Sequence, residues 1–115
     1  MSDSPSCTYL MVQTGPVEGR EDEYNRWYEE IHIPEVLRLP GFVAARRFKL
    51  SEAQRSSETL PRNTYLVIYE LTIEAREALD RITQTAAERG PGVGVAPGSS
   101  ALYWTPVSPR LEASS

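Results

Sequence analysis

The sequence predicts an α+β fold in which two helices cover one face of a four-stranded antiparallel sheet. Four short runs rich in β-branched and aromatic residues alternate with two segments of helical periodicity, in the order β-α-β-β-α-β. The length of 115 residues suits one hydrophobic core, and 40% hydrophobic with 24% charged residues is typical of a globular domain. We therefore expect a single domain at residues 7–108, with flexible tails at residues 1–6 and 109–115.

The first half of the chain predicts one strand and one helix. Residues 7–14 are rich in Tyr, Leu, Met and Val, which favour a strand, and turn-forming residues follow. The apolar stripe of the next segment has helical spacing and consists of Tyr24, Trp27, Tyr28 and Ile31. Because Pro34 lacks an N–H and restricts the residue before it, we expect this helix to end or kink around His32 and Ile33.

The second half predicts three strands and a second helix. The strands are expected at residues 42–50, 64–71 and 101–107, and Pro106 is compatible with an edge strand. Thr72 is the expected N-cap of the second helix, and Gly90 is expected to end it. This order of elements is that of the ferredoxin-like fold.

The sheet is predicted to be apolar on both of its faces. Strand three presents Tyr65, Val67, Tyr69 and Leu71 on one face, and Leu66 and Ile68 on the other. An antiparallel sheet that faced water would alternate apolar with polar residues. We therefore expect a homodimer in which two copies pack sheet face against sheet face. The alternative is a monomer whose C-terminal tail folds over the sheet.

Charge and cysteine content exclude several classes of partner. The net charge is −4 and no run of Lys or Arg occurs, which argues against nucleic acid as a partner. No apolar stretch approaches the ~20 residues that cross a membrane, and residues 1–6 do not resemble a secretory signal. A single Cys fits a reducing, cytoplasmic location, and one Cys with one His cannot form a zinc site. We expect neither a metal nor a cofactor.

His32 is the candidate catalytic residue. It is the only histidine, and an unperturbed pKa of ~6.5 suits proton transfer near neutrality. On a helical wheel it lies about 40° from Tyr28, at the edge of the apolar stripe. The alternative is a capping histidine that bonds a carbonyl freed by Pro34. Cys7 has no evident base beside it, and we interpret it as a small packed residue.

Aromatic and basic residues on the predicted elements are candidates for substrate binding. They are Trp27, Tyr28, Arg46, Tyr65, Tyr69 and Trp104, with ordinary core packing as the alternative for each aromatic residue. We expect the strand face of Tyr65 and Tyr69 to form the pocket wall. Arg46 is expected on a face with Phe42, Ala44 and Phe48, where it needs an anionic partner. Arg47 is expected on the opposite face, pointing across the dimer interface.

The segment at residues 21–36 resembles the first helix of the dimeric α/β-barrel superfamily, and is most similar to its EthD-like branch. The residues that carry this resemblance are Trp27-Tyr28, His32-x-Pro34 and the following Pro40-Gly41-Phe42. The resemblance implies a dimeric α/β barrel with a pocket between the helices and the sheet of each protomer. It also implies that His32 is a functional residue.

That superfamily includes cyclases, dehydratases, isomerases, cofactor-free oxygenases and haem-degrading enzymes, so the fold alone does not define the activity. The chain lacks a later histidine like that of related cyclases. It also lacks the iron-ligating histidine of haem degraders, because Thr83, Gln84 and Thr85 stand at the second helix. The first hypothesis is a cofactor-independent lyase, cyclase or isomerase that acts on an aromatic or polyketide-like molecule. The alternatives are a cofactor-free oxygenase and a non-catalytic small-molecule-binding dimer. A role in haem chemistry is a further hypothesis.

Overall fold

The computed structural model describes residues 8–56 and 60–114. The strands are β1 (Thr8–Thr14), β2 (Phe42–Lys49), β3 (Tyr65–Leu71) and β4 (Ser100–Trp104). The helices are α1 (Glu21–Trp27), α2 (Ile33–Val36) and α3 (Ala75–Gln84), with a π-helical turn at Tyr28–His32 and a 3₁₀ turn at Ala86–Glu88. The predictions for Cys7 and for residues 1–6 concern positions outside the described residues.

The sheet confirms the ferredoxin-like prediction. Its strand order is β2-β3-β1-β4, and every neighbouring pair is antiparallel. Leu10 at the centre of β1 lies opposite Tyr69 on one side and Tyr103 on the other. The helical residues Tyr24 and Ala78 belong to the same buried cluster as this side of the sheet. Both helical segments therefore pack on one face, which we call the inner face.

The first helix passes its proline without ending. The N–H of Ile33 donates to the carbonyl of Tyr28, five residues earlier, and both His32 and Ile33 keep α-helical angles. The helical backbone therefore does not end at these two residues, and its hydrogen bonding changes instead from π to α between His32 and Ile33. Pro34 lies in the first turn of α2, the part of a helix in which proline is best tolerated.

The boundaries in the second half differ from the predicted ones. Glu74, not Thr72, is the N-cap of α3, and the N–H of Thr72 instead donates to the carbonyl of Gly41 at 2.9 Å. The helix ends at Gln84, and the 3₁₀ turn lies between this end and Gly90. Strand β4 ends at Trp104, so Pro106 lies beyond it rather than within it. The regular pairing of β4 ends two residues before Pro106, which agrees with the lack of a backbone N–H donor in proline.

A β-bulge reverses the faces of β2. The register shifts between Phe42 and Ala44, which places the exposed Val43 as the extra residue. The inner face of β2 then carries Phe42, Ala45 and Arg47, and the outer face carries Ala44, Arg46 and Phe48. The prediction that Phe42 shares a face with Arg46 is wrong, because one inserted residue moves every later side chain to the other face.

The outer face of the sheet is open in this structure. Trp104 on this face is 52% exposed, and the C-terminal tail does not cover it, since Val107 is 99% exposed and Leu111 is 80% exposed. The alternative of a monomer with its tail folded over the sheet is therefore not what the structure shows. In the described part of the chain, no helix is long and apolar enough to cross a membrane.

Replacing Gly41 by Ala should destabilise the fold more than the same change at Gly19. Both glycines have positive φ, 91° and 84°, and the left-handed conformation alone costs roughly 1–2 kcal/mol for Ala. A Cβ at position 41 would also lie 2.7 Å from Cγ2 of Ile73, whereas nothing lies within 4 Å of one at position 19. Overpacking of this kind adds about 1–3 kcal/mol. Urea unfolding of the two variants measures the difference, and equal losses would contradict the expected clash.

Candidate functional site

His32 is the last residue of the π-helical turn and is half-buried. Its imidazole stacks on Trp27 with ring centroids 4.6 Å apart, and meets the ring of Tyr28 edge-on at 5.3 Å. The Nδ1 atom is buried and has no hydrogen-bond partner among the described residues. Nδ1 therefore does not bond a carbonyl near Pro34, as the alternative of a capping histidine would require. Single π-helical turns frequently occur at functional sites.

The surroundings of His32 favour its neutral form. Burial lowers the pKa of the imidazole, and the positive charge of Arg89 lowers it further, while the carboxylate of Glu35 raises it to a smaller extent. A histidine whose pKa lies below ~6.5 is mostly neutral at pH 7. His32 is thus able to accept a proton without first losing one.

Tyr69 supplies a buried hydroxyl that stays protonated. Burial raises the pKa of Tyr69 strongly, and the hydroxyl has no hydrogen-bond partner in the described part of the chain. Tyr28 raises this pKa further, and the charges of Arg89 and Arg47 act to lower it. Burial also raises the pKa of the neighbouring Tyr28. A neutral phenol of this kind is a hydrogen-bond donor to a developing oxyanion.

Arg47 and Lys49 are the basic residues that β2 presents on the inner face, and Arg47 is the more buried of the two. Its Cζ lies 5.5 Å, 5.0 Å and 5.1 Å from the ring centroids of Tyr24, Tyr28 and Tyr65. One nitrogen, Nη1, donates to Glu29 at 2.9 Å, and the other, Nη2, is buried without a partner among the described residues. The prediction that Arg47 points across the dimer interface is wrong, because the bulge in β2 turns it towards the helices.

Tyr65 lies on the inner face, but its hydroxyl is already bound. It donates to the carboxylate of Glu21 and accepts a bond from Nδ2 of Asn25 at 3.5 Å. Lys49 lies 3.5 Å from the same carboxylate, and the bond from Tyr65 with this positive charge lowers the pKa of Glu21. The ring of Tyr65 remains part of the wall around Arg47, while its hydroxyl holds α1 against the sheet.

The structure brings five of the seven predicted site residues together. Trp27, Tyr28, Tyr65 and Tyr69 belong to the buried core between the helices and the inner face, and the half-buried His32 contacts the first two. With Arg47, which lies over the rings of Tyr28 and Tyr65, these five residues form what we call the His32 cluster. Arg46 and Trp104 lie on the outer face instead. Arg47 was missed as a site residue, because a single-residue bulge without glycine or proline leaves little trace in the sequence.

Three cavities are found near these elements. The largest, of about 300 Å³, lies at the ends of β2 and β3 and is lined by residues that include Phe48, Lys49, Leu66 and Ile68. A second, of about 180 Å³, is lined mainly by residues of the first helical segment, including Trp27 and Ile31. A third, of about 210 Å³, is lined by Glu35 and Arg89, the two charged residues that act on the pKa of His32. His32 lines none of the three, and the third adjoins its cluster.

The ferredoxin-like fold of this chain is shared by solved structures of other proteins. The chain is similar to MhuD, described as a haem degrader from Mycobacterium tuberculosis with two haems bound in its active site. The identity is 16% over 90% of this chain and 98% of MhuD, with a TM-score of 0.59. It is also similar to HapK from Hahella chejuensis, with 14% identity over 93% of this chain and 99% of HapK, and a TM-score of 0.53. At these identities the likeness shows the fold alone.

Residues 11–89 match a sequence family described as a domain of unknown function, DUF4286. The match spans more than half of the chain, and the chain therefore belongs to this family. A comparison with curated proteins finds no significant match.

The described residues do not fit a haem. His32 is the only histidine in the sequence, and it lies in the π-helical turn of the first helical segment. At the end of α3, Thr83, Gln84 and Thr85 offer no imidazole ligand. Among the residues with described positions, no group of three His, Cys, Asp or Glu side chains is arranged to hold a metal ion.

The lowered pKa of His32 predicts that the fold loses stability in mild acid. The unfolded chain binds a proton at His32 as pH falls through ~6.5, whereas the folded chain binds it only at lower pH. The contribution is therefore fully present above ~6.5 and is lost as pH decreases through the folded pKa. Urea unfolding at a series of pH values should show this loss in the wild type and a smaller one in His32→Gln. Identical pH dependence in the two proteins would contradict the burial of a neutral imidazole.

Proposed function

We propose that this chain is a cofactor-independent enzyme in which His32 moves a proton on a hydrophobic, aromatic or polyketide-like small molecule. The reaction type is that of a lyase, cyclase or isomerase. The observation that carries the proposal is the half-buried imidazole of His32, which contacts two aromatic rings and has a buried Nδ1 atom without a partner among the described residues. A buried acceptor without a protein partner is suited to a partner that the substrate supplies.

The proposed chemistry is general acid–base catalysis. Neutral His32 takes a proton from a carbon next to a carbonyl group and later returns it to another atom of the same molecule. The protonated hydroxyl of Tyr69 donates a hydrogen bond to the enolate oxygen that forms. The rings of Trp27 and Tyr28 bind the apolar body of the substrate.

A screen with aromatic β-dicarbonyl compounds tests this function. The wild-type protein should change the ultraviolet spectrum of at least one compound at a rate that depends on protein concentration. The product should have the mass of the substrate, or that mass less water or another small neutral fragment. The rate should rise with pH through an apparent pKa below ~6.5, because the base is active only when neutral. A rate that falls with pH in this range would contradict His32 as the base.

A cofactor-free oxygenase is the second candidate. The observation that favours it is the aromatic wall around Arg47, which the rings of Tyr24, Tyr28 and Tyr65 form. An electron-rich phenol bound there would itself supply the electrons that reduce oxygen. An oxygen electrode separates the two candidates, since proton transfer consumes no oxygen. A non-catalytic binder would show neither oxygen uptake nor product.

We also propose that two copies form a homodimer through the outer face of the sheet. The apolar residues of this face are Met11, Leu66, Ile68, Phe48, Leu102 and Trp104. Three of them, Phe48, Leu102 and Trp104, are more than one-third exposed in the single chain. The largest cavity shares Phe48, Leu66 and Ile68 with this face, so an apolar partner surface would also close that cavity.

Membership of the EthD-like branch and a cytoplasmic location complete the proposal. The first is supported by Trp27-Tyr28 and His32-x-Pro34, which lie in the helix and π-helical turn that form the candidate site. The second is supported by the single cysteine of the sequence.

A further inference from the structure

One guanidinium group on the inner face is only half satisfied. The side chain of Arg47 is 13% exposed, and only its Nη1 atom has a carboxylate partner, Glu29. The side chain of Glu29 is 65% exposed, so this partner lies at the surface while the rest of the guanidinium is buried. Nη2 is a buried donor with no acceptor in hydrogen-bond geometry among the described residues, and the interaction of the guanidinium with the hydroxyl of Tyr24 only opposes the rise in the pKa of that hydroxyl. A buried charged donor in this state is costly unless an anion completes it.

Arg47 and His32 flank the same aromatic ring. The Cζ of Arg47 lies 5.0 Å from the ring centroid of Tyr28, and the imidazole centroid of His32 lies 5.3 Å from it. The hydroxyl of Tyr69, which is 2% exposed, is a second donor without a partner on this inner face. The unpaired donors of Arg47 and Tyr69 and the unpaired acceptor of His32 therefore belong to one cluster.

Arg89 is a second cationic residue near this cluster. Arg89 binds the hydroxyl of Thr85 at 2.7 Å and the carbonyl of Ile82 at 2.8 Å, and it forms no ion pair with any residue in the described ranges. Its charge acts on both His32 and Tyr69. Three carboxylates lie near the same residues: Glu29 on Nη1 of Arg47, Glu21 on the hydroxyl of Tyr65, and Glu35, whose charge acts on His32. None of them satisfies Nη2 of Arg47, and a guanidinium nitrogen without an acceptor favours an anionic ligand over a neutral one.

We propose that Arg47 is the anion-binding residue of this site, and that the ligand is a planar aromatic carboxylate whose oxygens bind Nη2 of Arg47 and the hydroxyl of Tyr69. The aromatic rings around Arg47 contact the apolar part of the same ligand. This assignment rests on the proposed function for the location of the site, and it adds the charge of the substrate. It also replaces Arg46, on the outer face, as the basic residue that contacts substrate.

Calorimetric titration of the full-length protein with benzoate and with its neutral analogue benzamide tests the assignment. The wild type should prefer benzoate by about tenfold or more, as expected for a hydrogen bond to a charged group. Arg47→Met should abolish this preference, and Arg47→Lys should leave an intermediate one, because it keeps the charge without the planar fork. Arg46→Met is the matched control: the adjacent arginine on the opposite face should leave the preference unchanged.

Each outcome separates the charge assignment from the proposed function. Absence of benzoate binding at millimolar concentration, or a preference that survives Arg47→Met, would overturn the assignment. A preference lost in Arg46→Met instead would move the anion site to the outer face. If kinetic measurements disproved catalysis by His32, the preference for benzoate should still be observed, because the titration requires no turnover.

Discussion

His32→Gln should lower turnover by about 10²–10⁴-fold, the usual contribution of one general acid–base residue. Glutamine is close in size to histidine and retains polar atoms, but it cannot take up a proton near neutral pH. The loss should appear mainly in kcat, because the apolar contacts of Trp27 and Tyr28 with the substrate remain. Steady-state kinetics with a compound identified by the β-dicarbonyl screen measures it.

The control for this variant is Ile31→Gln. Ile31 precedes His32 in the same π-helical turn, is 50% exposed and lies outside the His32 cluster. Its replacement should leave turnover unchanged, which separates the loss of the base from a general disturbance of the turn. Wild-type turnover in His32→Gln would exclude His32 as the proton acceptor.

Met11→Glu should convert the proposed dimer to monomers. Met11 lies at the middle of β1, opposite Ile68 on one side and Leu102 on the other, so a carboxylate there faces an apolar surface. An unpaired buried charge costs about 3–5 kcal/mol, which corresponds to a weakening of Kd by at least about 10²-fold. Sedimentation velocity should show the wild type at twice the 12.9 kDa chain mass and the variant at the chain mass.

Thr83→Glu is the matched control for the dimer. It adds the same charge at an exposed position of α3, which lies on the opposite side of the sheet. This variant should remain dimeric. A wild-type protein that sediments as a monomer at every concentration, or a Met11→Glu variant that remains a dimer, would contradict the packing of two outer faces.

Much of the fold was predictable because its signals are local. The helical spacing of Tyr24, Trp27 and Tyr28 and the strand composition of β3 each specify one element without help from the rest of the chain. The ferredoxin-like order then follows from the sequence of elements. The apolar composition of both sheet faces was equally visible, since strand residues alternate between faces.

The errors occur where one residue changes the phase of a pattern. The π-helical turn at His32 and the bulge at Val43 each insert a single residue, and neither is marked by glycine. Because of the π-helical turn, the helical backbone continues to Val36. Because of the bulge, Arg46 and Arg47 lie on the sheet faces opposite to those predicted. Alternation alone therefore assigned the wrong arginine to the site, although it assigned Tyr65 and Tyr69 correctly to one face.

The orphaned polar atoms are features that only the structure reveals. The sequence shows a histidine and several tyrosines, but not that Nδ1 of His32 and the hydroxyl of Tyr69 are buried without partners while the hydroxyl of Tyr65 is bound. These differences depend on contacts between distant segments of the chain. They distinguish side chains whose buried polar atoms have no described protein partner from side chains that hold the helix to the sheet.

Deuterium exchange tests the central claim most directly, because it detects proton transfer at carbon without requiring the final product to be known. The aromatic β-dicarbonyl compound that the protein turns over is incubated in D₂O, and deuterium incorporation is followed by proton NMR. The account predicts that the wild type accelerates incorporation next to the carbonyl group and that His32→Gln does not. Equal incorporation rates in the two proteins would contradict His32 as the base.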